Sequence, residues 1–114
     1  MGMRLGEKQE LFSRLLVYLL TYAHSQGYDI RMGETWRSKA AADDNARRGI
    51  GIKNSLHRKK LAVDLNLFKD GKYLTSIEGY LPLGEYWLSL HPLCRWGGDF
   101  KDPYHFSITH RGVR

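Results

Sequence analysis

Between Leu61 and Phe68 apolar and polar residues alternate with a period of two: Leu61, Val63, Leu65 and Leu67 fall on one side, and Ala62, Asp64 and Asn66 on the other. Successive side chains of an extended chain point to opposite faces. The segment therefore predicts a strand with one face on a core and the other, carrying Asp64, on a polar surface. Lys69, Asp70, Gly71 and Lys72 follow with the Asp-Gly hairpin signal, and Tyr73 to Thr75 is predicted to return as a short strand.

A second alternation covers Tyr104 to Ile108, where Tyr104, Phe106 and Ile108 interleave with His105 and Ser107, so a histidine again faces away from the apolar side. A third strand candidate runs from Tyr28 to Trp36, with Ile30, Met32, Glu34 and Trp36 in alternation despite Gly33, and Arg37 at its end. Helical spacing governs the N-terminal stretch. Leu5, Phe12, Leu15, Leu16, Leu19, Leu20 and Ala23 form a stripe while Glu7, Lys8, Glu10 and Arg14 fill much of the rest, which predicts an amphipathic helix ending near Gly27. Ser38 to Arg48, rich in alanine, reads as a short helix stopped by Gly49 and Gly51, and Leu83 to Leu90 as another closed by Pro92. Trp96, Gly97, Gly98 and Asp99 mark a tight bend. The fold class is α+β, a small and mainly antiparallel sheet flanked by helices. With no repeat, low-complexity tract or linker, residues 1–114 read as one domain.

With 42% hydrophobic and 26% charged residues, the composition favours neither disorder nor a membrane-spanning class. The apolar run Leu15 to Leu20 is too short to cross a bilayer. Glu7 and Glu10 before it, and no small-residue cleavage site after it, set it apart from a signal peptide, so a soluble protein without a secretion signal is expected. Cys94 is the only cysteine, which excludes an intrachain disulfide and a cysteine-rich zinc site. Any metal is then held by histidine and carboxylate, and Cys94 is expected to be a small buried residue. The net charge of +6 and the pI of about 9.6 predict attraction to polyanions: nucleic acid, an anionic membrane or a bacterial envelope. The basic residues are scattered, so a solvated basic surface is an equal reading.

Two strands thus each present a metal-capable side chain on a polar face, Asp64 and His105, and His57 lies shortly before the first. Two histidines and a carboxylate suit catalytic zinc, which takes three protein ligands and keeps a fourth position for water. The small Ala62 beside Asp64 leaves room for an ion and a substrate. Each residue also admits a plain structural role. Among five histidines some fall near an acid by chance, Asp64 can be a strand-edge carboxylate, Asp102 a turn-former before Pro103, and Arg37 a surface cation. His24, His91 and His110 lack a patterned carboxylate and read as helix-surface or loop residues.

The segment Ser55, Leu56, His57, Arg58, Lys59, Lys60, Leu61, Ala62, Val63, Asp64 resembles the S-x-H-x-x-G-x-A-x-D motif of the M15 zinc peptidases. That family includes D-alanyl-D-alanine peptidases and phage L-alanyl-D-glutamate endolysins. Trp96 to Phe100 followed by Asp102, Pro103, Tyr104, His105 and Phe106 is similar to its second motif, W-G-G-D and then D-x-x-H-F. The resemblance spans about Tyr28 to Phe106. It implies a Hedgehog/DD-peptidase-like fold, zinc bound by His57, Asp64 and His105, Asp102 as catalytic acid/base, and Arg37 as a substrate-contacting arginine. The sequence departs from the family at Lys60, where glycine is usual, which bears on the local path if that position needs positive φ. It departs also at Ser107, where an acid is often found, and after Arg37, where a glutamine-containing pattern is missing.

The resemblance implies hydrolysis of the stem peptide of bacterial peptidoglycan. The bond expected is L-alanyl-D-glutamate, by analogy with compact endolysins lacking a signal peptide, with a D-alanyl-D-alanine carboxypeptidase or dipeptidase as the alternative. It further implies a monomer made in the host cytoplasm that reaches the wall after another protein opens the inner membrane, with no membrane insertion and no obligate nucleic acid. Two other classes stand beside it. The +6 charge and 12% aromatic content allow a basic nucleic-acid-binding protein or metal-dependent nuclease, against which no nucleic-acid motif is present. A non-catalytic wall-binding module is opposed by the presence of all three ligands and Asp102.

Overall fold

The computed structural model describes residues 2–33 and 59–110. The predicted Ser38–Arg48 helix, the Glu34–Trp36 end of the first strand, Arg37 and His57 lie outside the described residues.

Helix α1 spans Leu5–Ser25, and its stripe of Phe12, Leu15, Leu19 and Ala23 is buried. The Glu7 carboxylate accepts the Arg4 N–H (2.9 Å), satisfying one of the donors that a helix start leaves free. Past the other end, Gly27 takes φ of 86°, and its N–H returns to the His24 carbonyl (3.1 Å). Strand β1 is Asp29–Met32, β2 is Ala62–Lys69 and β3 is Lys72–Tyr73. Asp70 and Gly71 join the last two with φ of 54° and 78°, the two positive values that a two-residue hairpin turn requires. Helix α2 runs Ile77–Leu90, β4 is Cys94–Trp96, a 3-10 turn occupies Gly97–Phe100, and β5 is His105–Ile108.

The strands make one five-stranded sheet in the order β1-β2-β5-β4, with β3 pairing to β2 as well, and all pairings are antiparallel. The chain is α+β, as its alternation and helical stripes predict. Val63, Leu65, Leu67, Phe106 and Ile108 carry the apolar face of the sheet into a core closed by α1 and α2. Trp87 of α2 joins the layers. Its ring meets Phe12 (5.8 Å) and Phe106 (6.3 Å) edge to face, and its Nε1–H donates to the carbonyls of Arg95 and Ser107, both at 3.0 Å. Complete burial of such a side chain contributes on the order of 3 kcal/mol, and its N–H meets acceptors rather than apolar surface.

The structure differs from the sequence pattern in two elements. Helix α2 begins at Ile77, before the predicted Leu83, and passes through Pro82. The Ser76 hydroxyl caps it by accepting the Gly79 N–H (3.1 Å). Tyr80 then pins its first turns, because its hydroxyl accepts the Leu67 N–H (3.0 Å) and donates to the Leu74 carbonyl (2.9 Å). A cap and a buried hydrogen-bonded tyrosine outweigh the proline's local preference. Strand β4 carries only Cys94, Arg95 and Trp96, too short for an alternation to declare itself. Among the described residues no helix is long and apolar enough to cross a membrane.

Candidate metal centre

The face of the sheet turned away from α1 and α2 carries the site. Asp64 and His105 are register partners on the adjacent strands β2 and β5, so their side chains emerge side by side on that face. Each strand is pinned at this level. The Gly33 N–H donates to the Asp64 carbonyl (2.7 Å), extending the β1 ladder, and the Leu65 N–H donates to the Tyr104 carbonyl (2.9 Å). A Cβ on Gly33 would stand 2.9 Å from the Asp64 Cβ, so glycine keeps the space beside the carboxylate open.

Asp102 reaches the site from a loop rather than a strand. Its N–H donates to the Gly97 carbonyl (2.9 Å), and its own carbonyl accepts the His105 N–H (3.2 Å). One residue on, the Trp96 indole N–H holds the Pro103 carbonyl at 2.8 Å. Trp96 is itself pressed against α2 at Gly84, where a Cβ would overlap the indole ring. At Gly97 a Cβ would overlap the Asp102 carbonyl and stand 2.9 Å from the His105 Cβ. The Trp-Gly-Gly bend is thus a clamp, and it sets where the Asp102 carboxylate stands.

The Asp64, Asp102 and His105 ligand atoms all lie within 4.8 Å of one another. His105 Nδ1 is 3.7 Å from Asp64 Oδ1, too long for a hydrogen bond between them. A tetrahedral zinc ion with bonds of 2.0–2.2 Å would hold two ligand atoms roughly 3.4 Å apart, so this pair needs little movement to share one. Two carboxylates and an imidazole are also a donor set that zinc accepts. Asp102 is exposed while Asp64 and His105 are half-buried, leaving its carboxylate on the solvent side of the group.

Of the sequence-predicted site residues, Asp64, His105 and Asp102 come together, and His57 and Arg37 fall outside the described residues. The other histidines stand apart from the group. His24 is exposed, with Nδ1 beside the Tyr28 carbonyl (3.2 Å), and His91 accepts the Leu93 N–H (3.1 Å). His110 is buried rather than on the surface, because Lys8 of α1 closes over it, with Nζ 3.1 Å from Nδ1. The polar face is not open throughout, since Ala62 and Ser107, register partners, are 2% and 0% exposed. In the other direction along β2, Asn66 and Phe68 are half-buried like Asp64. Lys60 takes φ of 59°, so the position where the resembled motif has glycine does use the left-handed path. Cys94 is buried, and loss of solvation pushes its thiol up to about 12.

Sequence reasoning missed the Trp96 clamp and the role of Gly33. The signals were present, as a glycine directly after a tryptophan and a glycine inside an alternating strand. Neither names the atom it approaches.

No protein-family model matches the chain, and no curated protein matches it. Among solved structures, the L-Ala D-Glu endopeptidase ChiX of Serratia marcescens superposes with a TM-score of 0.68 at 21% identity, over 97% of this chain and 90% of that one. The chain has the α+β fold of that endopeptidase.

Proposed function

We propose that the protein is a zinc-dependent peptidase of the bacterial cell wall that hydrolyses the L-alanyl-D-glutamate bond of the peptidoglycan stem peptide. The observation that carries this reading is the meeting of Asp64, Asp102 and His105 ligand atoms within 4.8 Å, on the sheet face opposite α1 and α2 of a fold shared with an L-Ala D-Glu endopeptidase.

Asp64 and His105, with His57, hold the ion, and Arg37 orients a substrate carboxylate through a bidentate contact. When bound, zinc supplies a Lewis acid for the scissile carbonyl and acidifies water toward a pKa of ~7. Asp102 takes the proton of the attacking water and passes it to the leaving amine. Its carboxylate lies within 4.8 Å of the Asp64 and His105 ligand atoms, and the Gly97 and Trp96 contacts fix the backbone that carries it. Asp64 serves as a ligand and Asp102 as the acid/base, so the two carboxylates divide the work.

Metal analysis and hydrolysis, measured on the same preparations, test the roles. Wild-type protein should take up about one zinc per chain, the Asp102→Ala variant should keep the zinc and lose cleavage, and the His57→Ala variant should lose both. Full activity in Asp102→Ala would remove the acid/base assignment. No zinc uptake by wild-type protein after reconstitution would end the metallopeptidase reading.

A further inference from the structure

Beyond the metal group the same face of the sheet carries a second set of side chains. Register sets Arg31 of β1 across from Asn66, and Tyr73 of β3 across from Phe68. Counting by twos along β2 from Asp64 puts Asn66 and Phe68 on the site face, and their register partners Arg31 and Tyr73 with them. These groups touch. The Arg31 guanidinium lies 4.3 Å over the Phe68 ring, which is 5.1 Å from the Tyr73 ring, and Tyr73 stacks toward Tyr104 at 6.3 Å. The Tyr73 hydroxyl donates to Asn66 Oδ1 (3.2 Å).

The arrangement is a shelf leading from Asp64 out to a charge, and its outer part is open, with Arg31 exposed and Tyr73 46% exposed. An arginine resting on an aromatic ring is held in place without using its N–H donors, which lie in the guanidinium plane. None of those donors has an acceptor among the described residues. Asp29 shares the face, across from Phe68, and makes no ion pair with Arg31. A pre-ordered cation with its hydrogen-bonding edge unused is built to receive an anion.

Distance sets which anion. Arg31 sits on the neighbouring strand opposite Asn66, two residues from Asp64, and its guanidinium reaches over Phe68, four residues from it; at about 3.3 Å per residue the charge stands on the order of 10 Å from the metal group, the length of about three residues of extended peptide. We propose that Arg31, carried by Phe68 and Tyr73, forms a substrate subsite that pairs with a peptide carboxylate about three residues from the scissile bond, on the leaving-amine side. That side begins with glutamate, whose amine is in the cleaved bond and which keeps one carboxylate free when the other is bonded onward, and it also holds the peptide's C-terminal carboxylate, so the anionic part of the substrate lies there. The inference rests on the peptidase reading.

The test uses two synthetic peptides that contain the L-Ala–D-Glu bond and end about three residues beyond it, one in a free carboxylate and one in a carboxamide. Zinc-loaded wild-type, Arg31→Gln and Arg31→Lys proteins are compared on both. Arg31→Gln should lower kcat/KM on the acid about tenfold, through KM, and stay within about twofold of wild type on the amide. Arg31→Lys should keep part of the preference, because it retains the charge and loses the fork. Equal losses on both peptides, or no loss on either, would overturn the subsite while leaving the peptidase reading intact. Failure of wild-type protein to cleave either peptide would overturn both. Thermal melting of each variant confirms that the comparison is made on folded protein.

Discussion

Replacing Lys60 by glycine should stabilise the protein although it deletes a whole side chain. Lys60 is exposed and takes φ of 59°, a conformation that brings the Cβ of an L-residue against the following carbonyl at a cost of about 1–2 kcal/mol. The neighbouring backbone holds it there, with the Lys59 carbonyl accepting from Gln9 Nε2 (2.8 Å) and the Leu61 carbonyl from the Ile108 N–H (3.1 Å). Glycine removes that repulsion, and its freer unfolded chain returns about 0.5–1 kcal/mol of the gain. The net expectation is a stabilisation of about 0.5–1 kcal/mol. For a chain of 114 residues, with unfolding entropy of about 2.1 cal/mol/K per residue, that raises Tm by roughly 2–4 °C. Thermal unfolding followed by circular dichroism in metal-free buffer measures it without a contribution from bound zinc. Lys60→Ala is the control, since alanine removes the charge and stem but keeps the Cβ, and it should show no such gain. A glycine variant melting at or below wild type, or an alanine variant gaining as much, would refute the argument from backbone strain.

Three further outcomes follow from the same contacts. Gly97→Ala forces the Asp102 segment away from His105; it should cost about 1–3 kcal/mol in thermal melts and lower kcat more than about tenfold with zinc still bound. Asp102→Asn, nearly isosteric, should lower kcat by roughly 10²–10⁴ at unchanged zinc stoichiometry, read by steady-state hydrolysis beside metal analysis. Burial pushes both the Cys94 thiol and the Tyr80 hydroxyl up to about 12, so each keeps its proton in the folded state after the unfolded chain has lost it. Their contribution is present at neutral pH and is lost as pH rises from about 9 toward 12, by up to ~1.4 kcal/mol per pH unit per group. Tm should therefore fall through this range, less steeply in Cys94→Ala, and Cys94 should resist a thiol reagent at pH ~8 in the folded protein.

Asp64 and His105 were legible because a strand with one face in a core has no freedom about which residues face outward; a one-residue slip would bury Asp64 and expose Leu65. Their pairing across β2 and β5 was not legible, since register depends on the path of the chain between them. Asp102 illustrates a different limit. An aspartate before a proline reads locally as a turn, and only the resemblance to a known motif gave it a role; the clamp that places it depends on the close approach of Gly97 to the Asp102 carbonyl and on the seating of Trp96 against Gly84 of α2. The early start of α2 was hidden by Pro82, whose local cost is overridden by the Ser76 cap and the Tyr80 hydrogen bonds. Arg31 shares a four-residue strand with Asp29, and nothing in one dimension sets it beside Phe68.

Digestion of purified peptidoglycan by the protein, with and without a chelator, reads both the bond cut and the need for metal, with the new termini identified by mass spectrometry. New C-terminal alanine and N-terminal glutamate are expected, abolished by the chelator and restored by added zinc. Termini at another bond would contradict the proposed specificity, and chelator-resistant cleavage or none at all would contradict the zinc peptidase itself.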